Sequence, residues 1–479
     1  MHPRTVVFIG LTSSTLDVLK THADLRAVVI EPNKATAERE AARPDRAMWM
    51  ENKRLGWLIG PDYAGAAALA RTFTDVRNAP VIVDPRLSQR NADALERAQR
   101  VLERLKFQTS ANDGAREASA GRYLLHTIAN FARIARESDA GALTDLFAGV
   151  PAVVVAAGPS LDKNVHDLAP IRDRAVVIAC DTAARPLVSL GVEPDFIVAS
   201  DASRANAGHL SSLPPSKSWL VAEGSLHPSA FTHFDHHTFF FKVAAHQPWP
   251  WLASIGLDRS VLDTWGSVAT SAFSLALRLG CSPIVFMGAD FAFTDGRPYC
   301  RGTSFESLWS SWIAGGASYD AIWQRGVERW PEAMEPDLGG ALVRTAPHLV
   351  SFRDWVREQI HRAPGRRFVN ATGAGLLHGA GIEQRAATPF LTNSAVLDRD
   401  LVSSAIRRAH IARRGHVASL FTGLSQLTSE QSSAVLDAWL AFGGPQTSPA
   451  AIAAALHSHE FAAWTLGLAA RTTLQEHVS

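Results

Sequence analysis

The sequence predicts an α/β protein whose centre is an open, mostly parallel, Rossmann-like sheet, with a small degenerate α/β nucleotide-fold domain before it and a helical C-terminal region after it. Three observations predict this. Between Pro151 and Asp290, short apolar runs alternate with stretches of helical spacing. The runs Ala152–Ala156, Ala175–Ala179, Phe196–Ala199 and Ile284–Met287 are apolar or small at every position, the mark of strands buried on both faces. From about Asn393 onward the pattern is helical only.

Composition bounds the rest. The chain has 479 residues, 47% hydrophobic and 19% charged, which is enough for two or three cores. Lys and Arg number 47 against 46 Asp and Glu, so no cationic excess points to nucleic acid or an anionic membrane. Cys180, Cys281 and Cys300 are scattered and form no Cys-x-x-Cys pair, so a zinc knuckle or a disulfide framework is not expected and a reducing cytoplasm fits. The apolar stretch Val6–Ile9 is too short for a signal peptide, and Thr12–Thr15 interrupts it. The longest apolar region, Ser267 to Phe293, is broken by Arg278, Pro283 and Asp290, so no transmembrane segment is expected.

Residues 1–86 form the expected first domain, with strands at Thr5–Ile9, Arg26–Ile30 and Val81–Asp84 and a helix beginning at Leu16–Lys20. Residues 87–149 read as a helical connector. Leu95, Ala98, Leu102 and Leu105 mark one helix, the polar run Gln108–Gly121 a loop, and Tyr123–Ala135 a second helix. Residues 150–390 form the catalytic α/β domain, with a helix at Ser267–Leu279 and a short strand at Phe368-Val369. Residues 391–479 are helical, with a capping box at Thr428-x-x-Gln431 and a helix start at Ser448-Pro449.

Ligands of such sheets lie outside the carboxyl ends of the strands. There the sequence places Gly158-Pro159-Ser160, where glycine permits close backbone approach and a following helix start favours an anion. Asp181-Thr182 and Asp201 follow the next two strands and suit ribose hydroxyls or a base amino group; the alternative is helix capping. Gly266-Ser267 and Thr270 open a helix and offer a second place for phosphate or sugar-carboxylate oxygens, again with capping as the alternative. Asp290 ends the last of these strands, and Tyr299 and Arg301 follow a turn from which they reach a leaving phosphate. Asn370-Ala371-Thr372-Gly373 follows a short strand; its alternative is a plain loop.

Other clusters carry weaker signals. His227, His233, His236, His237 and His246 match no zinc spacing, although a general base among them is conceivable chemistry. Trp309, Trp312, Trp323 and Trp330 suit buried packing better than an acceptor surface. Gly10 and Glu31 sit where a dinucleotide fold carries its turn and its ribose acid, but the second and third glycines are missing. Arg407, Arg408, Arg413 and Arg414 read as a solvated helix face.

The ordered series from Asn130 through Pro151–Leu161, Cys180-Asp181-Thr182-Ala183, Gly191–Phe196, Asp201, Gly266–Thr270, Phe286–Asp290, Tyr299–Gly302 and Asn370-Ala371-Thr372 resembles the motility accessory factor (Maf) flagellin glycosyltransferase family. The central domain of that family is also described as 6-hydroxymethylpterin diphosphokinase MptE-like. The resemblance implies a sheet similar to that of CMP-sialic-acid-dependent sialyltransferases. The implied activity is transfer of a nonulosonic sugar from a CMP-sugar to Ser or Thr of a surface protein such as flagellin. It implies Asp201, Asp290 and Tyr299 as catalytic residues. Gly158, Pro159, Ser160, Asp181, Thr182, Gly266, Ser267, Thr270, Asn370 and Thr372 are implied as contacts to the CMP-activated donor. No metal site and no cofactor are required, because a monophosphate leaves with less charge than a diphosphate. The chain departs from the family pattern at Ala156-Ala157 before the Gly-Pro-Ser turn and at Gly373, where Glu is common. The competing readings are pyrophosphoryl transfer from ATP to a hydroxymethyl-pterin, which would need Mg2+, and a sugar-nucleotide-binding protein without catalysis.

Overall fold

Strands β1 (Arg4–Ile9) and β2 (Leu25–Glu31) pair in parallel, Arg4 against Leu25 through Ile9 against Ile30. β3 (Leu55–Ile59) adds outside β2, and the short β4 (Val81–Val83) adds on the far side of β1, also in parallel. The order is thus β3-β2-β1-β4. The computed structural model describes residues 4–11, 20–22, 24–43, 52–60, 63, 65–73, 75–243, 249 and 258–411. These strands belong to the first of two compact units, Met1–Ala115 with Pro347–Arg362; the second is Arg116–Ala346 with Ala363–Ser479. The first sheet buries Val6, Phe8, Ala27, Val29 and Leu55 on one face.

Glu31, the acid expected at a ribose, is buried, and both of its oxygens are spent on the backbone. The Leu11 amide donates to Oε2 at 2.8 Å and the Asn33 amide to Oε1 at 2.8 Å. Burial raises its pKa. In this unit the acid at a strand end ties two turns together.

The second unit is built on nine parallel strands. They are β5 (Ser138–Asp139), β6 (Ala152–Val155), β7 (Val176–Cys180), β8 (Phe196–Ala199), β9 (Trp219–Glu223), β10 (Thr238–Phe241), β11 (Ile284–Met287), β14 (Phe368–Asn370) and β15 (Ile382–Gln384). The order β15-β14-β11-β6-β7-β8-β9-β10-β5 turns back on itself between β6 and β11. That reversal is where open α/β sheets leave a crevice beyond the strand ends. β12 (Ala333–Pro336) and β13 (Leu342–Thr345) form a separate antiparallel ribbon that follows the four tryptophans Trp309, Trp312, Trp323 and Trp330 in sequence. The helix Val268–Arg278 packs on β6, β7 and β8. On the β8–β10 side Ile197, Leu210, Leu220, Phe231, Phe234, Phe240 and Trp249 share a core.

Two local expectations change. The polar run Gln108–Gly121, expected as a loop, lies inside one helix, Ala92–Ala129. Its alanines and straight-chain polar residues are good helix formers, and Gly114 and Gly121 cost only about 1 kcal/mol each against them. The helix after Ser160 is a single turn, Leu161–Asn164, followed by 3-10 turns. The expected helix signals at Leu16–Val18, Thr428 and Ser448, together with His246, Arg413 and Arg414, lie outside the described residues.

Asp195, just before β8, holds the strand entrances of this sheet. Its carboxylate takes both Arg172 guanidinium nitrogens at 3.1 and 2.9 Å and the Val177 amide at 2.8 Å. It also pairs with Arg399, at the start of the helix Arg399–Ile411. Asp195→Ala leaves two guanidinium groups and an amide without their acceptor. The expected loss in urea unfolding is about 3–5 kcal/mol, and a loss below about 1 kcal/mol would refute the lock.

Candidate functional site

The carboxyl ends of β6, β11 and β14 are welded together. The Gly158 amide donates to the Gly288 carbonyl at 2.8 Å and the Ala156 amide to Met287 at 2.9 Å. Asp290, 2% exposed, lies between them. Its Oδ2 accepts from the Ser160 hydroxyl at 2.7 Å and its Oδ1 from the Ser160 amide at 3.2 Å, and the Thr294 side chain is a further hydrogen-bond partner. Burial raises the Asp290 pKa despite these donors. A Cβ on Gly158 would come within 3 Å of the Asp290 carboxylate and the Gly288 carbonyl. The glycine therefore serves the protein's own carboxylate. Ser160 has no side-chain cap role, and Pro159 only continues the turn, its carbonyl accepting from the Asp162 amide.

Asn370 and Thr372 brace the same weld. Asn370 Nδ2 donates to the Leu377 carbonyl and to Gln384, and its Oδ1 accepts from the Thr372 amide at 3.1 Å. The Thr372 hydroxyl accepts from the Ala289 amide at 3.1 Å. Gly373 is left-handed, at φ 73°, and a Cβ there would meet nothing within 4 Å.

A second group surrounds the helix Val268–Arg278. Gly266 is left-handed (φ 65°) and Ser267 is the N-cap, accepting from the Ala269 amide at 3.3 Å. The Thr270 hydroxyl donates to the Ser267 carbonyl at 2.6 Å and accepts from the Trp265 amide at 2.8 Å. From Thr270 a hydroxyl chain runs through Thr264 and Ser271 to Ser200, the residue before Asp201. This chain fixes the helix start against the end of β8.

The third group is the open one. Asp181 directly follows β7 and is 1% exposed; its Oδ1 accepts from the Thr182 amide at 2.7 Å and the Thr182 hydroxyl at 3.0 Å. Asp201 follows β8, is exposed, and accepts from the Ser203 amide at 2.7 Å. Burial, with the negative charge of Asp201 adding to it, raises Asp181 from 3.8 to about 7. Burial also raises the Tyr299 phenol; Asp181 and Asp201 push the same way, and the Arg329 guanidinium opposes them. These four side chains thus share one field.

The segment carrying Tyr299 is pinned from below. Tyr299 stacks on Phe305 (5.2 Å) and Phe305 on His209 (4.6 Å), whose Nδ1 meets the Ser304 hydroxyl at 2.5 Å. His209 is sealed, and its pKa is lowered to about 4 by burial and by Arg185, so the ring is neutral. Of the histidines singled out in the sequence, His227 caps the turn Pro228–Phe231, and His233, His236 and His237 lie at the surface. Trp323 is buried and Trp309 stacks on it at 4.4 Å, whereas Trp312 and Trp330 are exposed.

Arg329 and Arg185 were not legible as site residues. Arg329 is the C-cap of the helix Tyr319–Glu328. Arg185 is four residues after Asp181, a spacing that puts both on one helix face, and its guanidinium donates to the Ser307 hydroxyl at 2.8 Å. Asp181 and Asp201 stand at the ends of the adjacent strands β7 and β8, and their charge and that of the exposed Arg329 reach the Tyr299 phenol. That set can hold hydroxyls and a phosphate and can move a proton.

Comparison with known proteins bears on the domain and the fold. Residues 125–296 match the family model described as 6-hydroxymethylpterin diphosphokinase MptE-like, so the chain carries that domain. Two proteins of Treponema pallidum (strain Nichols), each described as an uncharacterized protein, match over 137 residues at 28% and 26% identity. The matches cover 25% and 26% of this chain and 34% and 49% of theirs, so less than half of those curated relatives is spanned. A MAf glycosyltransferase from Magnetospirillum magneticum AMB-1 shares the fold at 15% identity and a TM-score of 0.50, over 99% of this chain and 73% of its own.

Two outcomes follow from the buried acids. Gly158→Ala forces the added methyl into the Asp290 contact and lowers stability by about 1–3 kcal/mol in denaturant unfolding; a neutral effect would show that the weld yields. The raised Asp181 pKa favours the folded state when protonated, so this stability is full below about pH 4 and is lost as pH rises through about 7. Asp181→Asn removes that loss. Its unfolding free energy should exceed the wild type's by a margin that grows from pH 4.5 to 7.5, reaching up to about 4 kcal/mol, and then levels off. A pH-independent difference would contradict the assignment.

Proposed function

We propose that this chain, whose residues 125–296 form an MptE-like domain, is a glycosyltransferase moving a nonulosonic sugar from a CMP-sugar to Ser or Thr of a surface protein such as flagellin, and that it acts in the cytoplasm. The observation that carries the reading is the pair of carboxylates Asp181 and Asp201 at the ends of the adjacent strands β7 and β8, whose charge reaches the Tyr299 phenol, in a sheet with the fold of a MAf glycosyltransferase. No helix among the described residues is long and apolar enough to cross a membrane.

In this reading Thr182 and Asp201 take the nucleoside hydroxyls. Arg329 and the Tyr299 phenol take the phosphate that leaves, Arg329 by charge and Tyr299 by a hydrogen bond. The exposed start of the helix Val268–Arg278, at Gly266-Ser267, faces the sugar carboxylate. Asp290, with Ser160, Asn370 and Thr372, shapes the floor and touches no substrate, because its oxygens already hold Ser160. The reading asks for no metal ion.

A second reading is pyrophosphoryl transfer from ATP. It is favoured by the description of the matching family model and by the neighbouring Asp181 and Asp201 carboxylates, the donor set from which Mg2+ takes one or two ligands beside substrate phosphates.

Thermal shift separates the two. CMP should raise the melting temperature without added metal, whereas stabilisation by ATP with Mg2+ and none by CMP would sink the transferase reading. Arg329→Ala should weaken CMP binding about 10–100-fold, the worth of one charged hydrogen bond. Unchanged affinity would remove Arg329 from the phosphate site.

A further inference from the structure

Transfer to a hydroxyl needs a group that accepts its proton, and the geometry points to the Asp181 carboxylate, acting through Oδ2, as the general base of this site. The inference rests on the glycosyltransferase reading and adds to it the residue that activates the acceptor.

Asp181 stands at the carboxyl end of β7, between β6 and β8. Only one of its oxygens is committed. Both Thr182 donors converge on Oδ1, and among the described residues no donor reaches Oδ2. The residue is 1% exposed, so bulk water screens this oxygen little. The Thr182 bonds hold the carboxylate in one orientation, which leaves Oδ2 as a fixed, unpaired acceptor in a dry wall.

The other candidates are excluded by what they touch. Asp290 is bound through both oxygens to Ser160. Glu223, at the end of β9, holds the amide and hydroxyl of Ser225 through Oε2 and the Trp249 indole through Oε1. His209 is sealed beneath Phe305 with Nδ1 on Ser304. Asp201 is exposed and its Oδ1 holds the Ser203 amide at 2.7 Å.

The groups facing Asp181 set its proton affinity. Cys180 on its own strand is buried and carries no charge at neutral pH, since burial and Asp181 both raise its thiol. Asp201 from the end of β8 adds negative charge, and Tyr299 from the covering segment is a neutral phenol. Arg185 lies one helical turn on and is engaged with Ser307. Arg329 acts on the Tyr299 side of the crevice. The result is a carboxylate half ionised near neutrality, as a base should be for its operating pH.

The step balances. The acceptor hydroxyl oxygen bonds to the anomeric carbon of the donor. The bond from that carbon to the phosphate oxygen breaks, and its electron pair leaves with CMP, held by Arg329. The hydroxyl proton passes to Asp181 Oδ2 and from there to water.

Asp181→Asn, which keeps shape and the Thr182 contacts, is the decisive variant. With a CMP-activated nonulosonic acid and a Ser/Thr acceptor protein, transfer should fall about 10²–10⁴-fold, while CMP still raises the melting temperature as in the wild type. The wild-type rate should fall tenfold per pH unit below about 7; the residual rate of Asp181→Asn should lack that limb, and added formate should restore part of it. Asp181→Glu, which retains a carboxylate, should keep more activity than Asn. Transfer by Asp181→Asn within a few-fold of wild type, or an unchanged acid limb, would overturn the assignment alone. A wild-type chain that binds CMP but never releases it from the donor would overturn the transferase reading and this assignment with it.

Discussion

The loops at the reversal of the second unit's sheet depend on one buried contact, the Asp290 carboxylate against Ser160. A carboxylate removed from water is costly unless its oxygens are satisfied, and here the Ser160 amide and hydroxyl and Thr294 satisfy them. The contact requires two loops to approach closely. Gly158 and Gly288 permit this, since a Cβ on Gly158 would come within 3 Å of the carboxylate and one on Gly288 within 3 Å of the Ala156 carbonyl. The loops after β6 and β11 are thereby joined, and their polar groups are spent on one another.

The two units use buried acids in the same way. Glu31 ends β2 and spends both oxygens on the amides of Leu11 and Asn33. Asp290 follows β11 and spends both on Ser160. Each replaces a ligand's anion with one supplied by the chain. Asp181 and Asp201 differ because their partners come from their own turns, Thr182 and Ser203, and leave capacity unused. An acid at the end of a parallel strand is thus an ambiguous sign. What separates lock from site is whether a second loop closes over the carboxylate.

Around the open pair the chain places rigid supports. The His209–Phe305–Tyr299 stack and the Ser304 contact hold the covering segment, and the hydroxyl chain from Thr270 to Ser200 holds the floor beside Asp201. Such bracing keeps reacting groups within the tolerance that catalysis demands.

The alternation of apolar runs with helical spacing was sufficient for the parallel sheet, because strands buried on both faces admit little else. It located β6, β7, β8 and β11 and the turns that follow them. The pairing of β10 with β5, the ribbon β12–β13 and the helical state of Gln108–Gly121 were not legible, since they depend on neighbours remote in sequence or on small differences in propensity. Among the site residues the sequence supplied chemical identity and strand-end position for Asp181, Asp201, Asp290 and Tyr299. It could not say that Asp290 faces Ser160 across 130 positions, nor that the charge of Arg329 reaches the Tyr299 phenol. Local pattern fixes which residues reach the strand ends. Only the folding of distant loops onto one another decides which of them remain free to meet a ligand.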